Sequence, residues 1–102
     1  MKVVWTETAV AHLLAIYEHI ARTSPVYAQL MVRRIWDRAD RLMPFPNAGR
    51  LVPEVGTDVR EVLEPPYRVI YHVGSDRIEL LAVIHARRGP DALDDVGPGR
   101  AT

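Results

Sequence analysis

The sequence predicts an α+β domain in which a helical hairpin packs on one face of a small, mainly antiparallel sheet. Three observations support this prediction. A short strand-like run opens the chain, two stretches with apolar residues at helical spacing follow, and three strand-like runs come last. The element order is therefore β-α-α-β-β-β. A length of 102 residues suits one compact domain, which we expect to span residues 1–88.

The first strand and the first helix are predicted from residues 2–22. Residues 3–5 are β-branched or aromatic, and Thr6 follows as an N-cap with Glu7 in the first helical turn. Within residues 7–22 the apolar side chains recur at helical spacing, at Ala9, Leu13, Ile16 and Ile20. This pattern indicates a helix with one buried face.

A second helix is predicted to begin at Pro25. Ser24 is a suitable cap, and proline at the first helical position loses no hydrogen bond that the helix needs. The apolar stripe of this helix consists of Ala28, Val32, Ile35, Ala39 and Leu42. The short connection between the two helices indicates a hairpin.

The second half of the chain reads as a loop followed by three strands. Residues 44–56 contain three prolines and two glycines, which predicts a long surface loop. Strand-like runs cover residues 58–64, 67–73 and 77–86, and their short connections predict an antiparallel meander. The last run is apolar on both faces of the pleat, so we expect a central strand that is covered on both sides.

Composition excludes several classes of protein. The net charge is zero, unlike that of a general nucleic-acid binder, and the absence of cysteine excludes disulfides and thiolate metal sites. His12 and His19 are too far apart to form a metal pair, and no motif for a cofactor occurs. We expect a cytoplasmic protein with no membrane segment.

Residues 89–102 form an acidic stretch with glycine and proline, which we expect to be mobile.

Several short segments occur in a fixed order along residues 2–88. They are Trp5 before the first helix, Ser24-Pro25 between the helices, PNAGRLVPE over residues 46–54, Arg60-Glu61, YRVIY over residues 67–71 and VIHAR over residues 83–87. This ordered set resembles the ParE/RelE toxin superfamily, and within it the ParE-like plasmid stabilisation branch. Each segment alone has little specificity, whereas the set covers nearly the whole predicted domain.

The resemblance implies the toxin of a type II toxin–antitoxin pair, neutralised by a cognate antitoxin protein. ParE-like members bind DNA gyrase without chemistry of their own, whereas RelE-like members cut messenger RNA on the ribosome. A third alternative is a relative that has lost toxicity but still binds its antitoxin. The resemblance also allows a dimer or a toxin–antitoxin heterotetramer.

The nuclease alternative would need an arginine on the scissile phosphate together with a base and an acid. Arg68, His85 and Glu54 are the catalytic candidates, with Arg60 as a second phosphate ligand. The resemblance places a glutamate, a strand arginine and a C-terminal histidine near these positions, but the histidine spacing departs from the nuclease pattern. We therefore favour the gyrase-binding branch.

A second set of candidates would contact the target or the antitoxin. This set consists of Arg60, Glu61, Arg68, Tyr71, His85, Arg87 and Arg88. For Arg60 and Glu61 the simpler interpretation is an ion pair between strands or on the surface, and for His85 a hydrogen bond at the end of a strand. Trp36 lies beside the apolar stripe of the second helix, where it packs in the core or anchors a partner's helix.

Strand register decides whether Arg68 and His85 share a face of the sheet. Pairing Gly74 with Arg77 would place Arg68 opposite Val83, on the face of His85, whereas pairing Val73 with Arg77 would separate Arg68 from His85. The sequence leaves both registers open.

Overall fold

The structure, a computed structural model, describes residues 1–88 and confirms the predicted fold class. Its elements are β1 (Lys2–Trp5), α1 (Glu7–Ala21), α2 (Pro25–Asp40), β2 (Arg50–Leu51), β3 (Val59–Glu64), β4 (Tyr67–Val73) and β5 (Arg77–His85). The predicted acidic tail over residues 89–102 lies outside the described residues. Neither described helix combines the length and the apolar composition needed to cross a membrane.

Both helices begin where their caps predict. The Thr6 hydroxyl accepts a hydrogen bond from the Ala9 backbone N–H at 3.2 Å and donates one to the Leu80 carbonyl at 2.7 Å. The Ser24 hydroxyl accepts from the Tyr27 backbone N–H at 3.1 Å, one residue before the proline that opens α2. Thr6 therefore caps α1 and also fixes that helix to the sheet.

The sheet has five strands in the order β1-β5-β4-β3-β2. The strands β3, β4 and β5 form the predicted antiparallel meander, β1 pairs with β5 in parallel, and β5 is an interior strand as expected. The sequence missed β2, in which Arg50 pairs with Glu61 and Leu51 with Arg60. Two residues inside a proline-rich loop give no periodicity, so this strand depends on its pairing with β3 alone.

Apolar side chains cover both faces of the sheet. On one face the two helices pack against Val69, Tyr71 and Leu80, together with other residues of the main core. The other face carries a smaller cluster that includes Ile70 and Ala82, and Val52 covers it with only 2% of its surface exposed. The stretch predicted as a surface loop is therefore partly a covering layer, because an apolar sheet face must be shielded from water.

The register separates Arg68 from His85. At the turn the Gly74 N–H donates to the Arg77 carbonyl at 2.9 Å, as in the first of the two predicted registers. An irregularity between Ile70 and Tyr71 then shifts the pairing by one residue, so that Arg68 lies opposite Ile84 and Tyr67 opposite His85. Arg68 therefore points away from the helices, whereas His85 lies on the face that they cover.

Candidate functional site

A charged depression lies on the sheet face opposite the helices. We call it the arginine cleft; it has a volume of about 430 Å³, and its lining includes Arg50, Glu54, Glu61, Leu63, Arg68 and Arg88. The three arginines outnumber the two glutamates, so the cleft is basic by one charge. It brings together two of the three predicted catalytic residues, Glu54 and Arg68.

Glu61 lies at the centre of the arginine cleft and binds two of its arginines. Its side chain is only 4% exposed, and one carboxylate oxygen accepts from Arg68 Nε at 2.6 Å. The other oxygen accepts from Arg50 Nε, whose side chain is 75% exposed. Register explains the arrangement, because Glu61 and Arg68 both project from the helix-free face of neighbouring strands. The carboxylate offsets the charge that Arg68 would otherwise offer to an anion.

Arg60 lies on the other side of β3 and does not pair with Glu61. Its guanidinium donates to the Gly49 carbonyl at 2.8 Å and to the Asn47 carbonyl at 3.4 Å. Tyr71 is fully buried; its hydroxyl donates to the Pro46 carbonyl at 2.8 Å and accepts from the Gly49 N–H at 2.9 Å. Both side chains therefore hold the loop between α2 and β3 against the sheet.

The remaining candidates lie at the end of β5. His85 is half-buried on the helix side, and its Nδ1 accepts from the Arg87 backbone N–H at 3.1 Å. Arg87 and Arg88 are exposed beyond the strand. The sheet itself thus separates His85 from Glu54 and Arg68, and the three residues predicted for catalysis do not meet.

His12 is a structural residue that the sequence did not single out for hydrogen bonding. Its Nδ1 accepts from the Val83 backbone N–H at 3.2 Å, which joins α1 to β5. Val83 lies close to the irregularity in the pairing of β4 with β5. Burial, and to a smaller degree the charge of Arg88, lowers the pKa of His12 below its ordinary value of 6.5. The sequence gives no local signal for this bond, since it depends on an irregular pairing of distant strands.

The His12 bond predicts a loss of stability in acid. Protonated Nδ1 cannot accept a hydrogen bond, so the unfolded chain binds a proton more readily than the folded one does. The contribution of His12 is complete above pH 6.5 and falls as the pH drops below that value towards the lowered pKa of the folded state. Denaturant unfolding at several pH values measures this loss.

An asparagine at position 12 separates the titration from the bond. The Asn side-chain oxygen can still accept from Val83 and does not titrate, so His12→Asn should lose less stability on acidification than the natural chain. His19→Asn, which removes an exposed imidazole from the same helix, is the matched control. An unchanged pH dependence in His12→Asn would contradict the assignment.

A second surface feature is an apolar groove on the outside of the helical hairpin. We call it the helix groove; it has a volume of about 580 Å³, and its lining includes Tyr17, Val26, Leu30, Arg33, Trp36 and Asp37. The Trp36 ring stacks on Trp5 with centroids 4.9 Å apart, yet 45% of Trp36 remains exposed. Large exposed apolar side chains grouped in this way are typical of protein-binding surfaces.

The chain is similar to known toxins in family, sequence and structure. The family model of the ParE toxin of type II toxin–antitoxin systems, parDE, matches residues 3–90. Toxin RelE2 of Caulobacter vibrioides is 37% identical over 87 residues, which is 85% of this chain and 97% of that protein. A solved structure, described as the chromosomal ParDE TA system from P. aeruginosa, matches with a TM-score of 0.71 and 30% identity, over 83% of this chain and 95% of the other.

Proposed function

The chain belongs to the ParE toxin family of type II toxin–antitoxin systems, and from that membership we propose that it inhibits growth by binding DNA gyrase in the cytoplasm. In this proposal the chain is a protein-binding inhibitor and carries out no chemistry. The family also implies an antitoxin partner, and we propose that this partner suppresses toxicity by covering the toxin surface.

The separation of the candidate catalytic residues is the observation that carries the proposal. RNA cleavage needs a cation on the phosphate with a general base and a general acid within reach of the same atoms. Here Arg68 binds the buried carboxylate of Glu61, and His85 lies on the opposite face of the sheet. A phosphate entering the arginine cleft would approach Glu61, and that repulsion disfavours RNA. The geometry therefore supports inhibition by binding.

The helix groove supports the antitoxin part of the proposal. Leu30 and Val26 are exposed and line the groove together with Trp36, and Tyr17 of α1 completes its wall. An amphipathic helix that inserts apolar side chains between such residues gains affinity from their burial. We assign this groove to an apolar helix face of the antitoxin. The end of the sheet that carries Arg87 and Arg88 is then free to bind the target.

Purified protein and purified gyrase test the target. The chain should inhibit DNA supercoiling, and prior mixing with its antitoxin should restore it. Replacing Arg87 and Arg88 together with alanine should weaken inhibition by about tenfold or more, because exposed arginines at an interface steer and hold an acidic surface. The matched control is Arg34→Ala with Arg41→Ala, which removes the same charge from the exposed surface of the helical hairpin. Unaffected supercoiling would exclude gyrase as the target.

Ribosome-dependent cleavage of messenger RNA is the second candidate function. The observation in its favour is that Glu54 and Arg68 line one cleft together with Arg50 and Arg88. This mechanism requires that Arg68→Ala and His85→Ala each lower cleavage in a translating extract. If both variants keep full toxicity, the cleavage mechanism is excluded. If expression of the unchanged chain leaves growth unimpaired, the chain is the non-toxic relative.

A further inference from the structure

A third depression lies between α1 and the sheet, at the end of β5. We call it the imidazole pocket; it has a volume of about 320 Å³, and the residues lining it include His12, Ile16, His19, Tyr67, His85 and Arg88. His12, Ile16 and His19 share one face of α1, while Tyr67 and His85 lie opposite each other on β4 and β5. Distant parts of the chain therefore place three imidazoles along the lining of one depression.

Two of these imidazoles are held by the backbone with the same nitrogen. His12 Nδ1 accepts from the Val83 N–H at 3.2 Å, and His85 Nδ1 accepts from the Arg87 N–H at 3.1 Å. A neutral ring that accepts at Nδ1 carries its proton on Nε2. Both rings therefore have a hydrogen-bond donor left for a ligand, in orientations that the fold has already set.

The other polar groups of the imidazole pocket are also donors. Burial raises the pKa of the Tyr67 phenol, so its hydroxyl keeps its proton at neutral pH, and the ring contacts His85 edge-on at 5.7 Å. Arg88 contributes a fixed positive charge that is felt at His12. No carboxylate occurs among the pocket-lining residues that the structure describes, in contrast to the arginine cleft with Glu54 and Glu61.

This set of groups selects one class of ligand. Several neutral donors with a single fixed cation match a group that carries one negative charge and several acceptor sites. The apolar wall formed by Ile16 and its neighbours suits a short hydrocarbon stem. A glutamate or aspartate side chain has both properties. The described residues offer no cluster of three side chains placed to bind a metal ion, so the imidazoles of this pocket are not assigned to one.

We propose that the imidazole pocket binds the carboxylate of an acidic side chain from the protein partner of this toxin. Arg88 and the Nε2–H groups of His12 and His85 bind the carboxylate oxygens, and the stem lies against Ile16. The choice of a protein partner rests on the proposed function, whereas the chemistry of the pocket does not. A direct binding test on the toxin alone therefore distinguishes a failure of this pocket from a failure of gyrase inhibition.

The test uses a glutamate with blocked ends, N-acetyl-glutamate N-methylamide, titrated into the full chain and followed by NMR at the Val83 and Arg87 amides. We expect saturable binding with a Kd of about 1 to 10 mM, which is ordinary for one small anion in a shallow pocket. The glutamine analogue has the same shape without the charge and should bind at least about fivefold more weakly, because it lacks the charge-assisted hydrogen bonds.

Two variants, with Arg87→Gln as the control, test the binding. Arg88 lines both the imidazole pocket and the arginine cleft, so His85, which lines only the imidazole pocket of the two, locates the binding. Arg88→Gln should weaken it about fivefold or more, whereas Arg87→Gln, which removes a neighbouring exposed arginine outside the pocket lining, should leave it unchanged. His85→Phe keeps a ring beside Tyr67 but removes the Nε2–H, and it should also weaken binding. Equal binding of the glutamine analogue, equal loss in the two arginine variants or tighter binding of methyl phosphate would each overturn the proposal.

Discussion

Replacing Glu61 with leucine should lower the free energy of unfolding by about 3 kcal/mol, since it leaves a poorly exposed arginine without its counter-ion. Arg68 is 15% exposed and donates to Glu61 at 2.6 Å, so its charge cannot recover full hydration when the carboxylate is removed. Chemical denaturation monitored by tryptophan fluorescence measures the change. The denaturant concentration at the midpoint of unfolding should fall. The slope of the free energy of unfolding against denaturant concentration should stay the same.

Two further variants separate the buried pair from the exposed one. Arg50→Gln breaks only the contact with a side chain that is 75% exposed, and it should cost at most about 1 kcal/mol. The double variant Glu61→Leu with Arg68→Leu removes both charges and should recover most of the stability that Glu61→Leu loses. Equal costs for Glu61→Leu and Arg50→Gln would show that Glu61 does not hold Arg68 as described.

Gly49→Ala should be at least as damaging, at about 3 kcal/mol or more, because the added methyl group has no space. A Cβ at this position would lie 2.4 Å from the Glu61 carbonyl oxygen and 2.7 Å from the Tyr71 hydroxyl. The Gly49 N–H also donates to that hydroxyl at 2.9 Å, so relieving the clash would break a buried hydrogen bond. The variant should therefore loosen β2 and the loop that carries it.

Gly74→Ala is the matched control for the glycine prediction. A Cβ there meets the Arg77 carbonyl oxygen at 3.2 Å, a contact that a small shift of the turn relieves. We expect a cost of at most about 1 kcal/mol, measured by the same denaturation experiment. If the two glycine variants were equally stable, the close packing of the loop on β3 would be contradicted.

Local signals explain how much of the fold the sequence predicts. Thr6 and Ser24 cap the helices by accepting hydrogen bonds from backbone N–H groups three residues later, and both helices begin where those caps predict. The three long strands also match the predicted runs to within one residue at either end. The sequence missed β2 and the covering role of Val52, because both depend on contact with strands that are distant along the chain.

The arrangement of the candidate site residues depends even more on contacts between segments that are distant along the chain. Sequence reasoning selected Arg68, Glu54 and His85 as one set, and a single shifted residue in the pairing of β4 with β5 places His85 on the other face. The sequence allowed a surface or cross-strand ion pair for Arg60 and Glu61. The structure gives Glu61 cross-strand pairs with Arg50 and Arg68 and buries its side chain, whereas Arg60 binds carbonyls of the loop. Burial and register follow from the packed sheet, and no single segment encodes them.

Family membership and the arrangement of the charged residues lead to one functional account. The superfamily suggested by the ordered segments of residues 2–88 is confirmed by the family match over residues 3–90. In this account Glu61 offsets the charge of Arg68 in the cleft where a nuclease would bind its phosphate, and the surfaces around the cleft bind proteins. Toxicity should then come from blocked gyrase and not from cleaved messenger RNA.

Pulse labelling after induction of the chain without its antitoxin tests this account in cells. Incorporation of labelled thymidine should fall within the first minutes, with DNA damage and filamentation, while incorporation of labelled methionine continues. If methionine incorporation stops first and DNA synthesis persists, the chain acts on translation and the account of a gyrase-binding toxin is wrong.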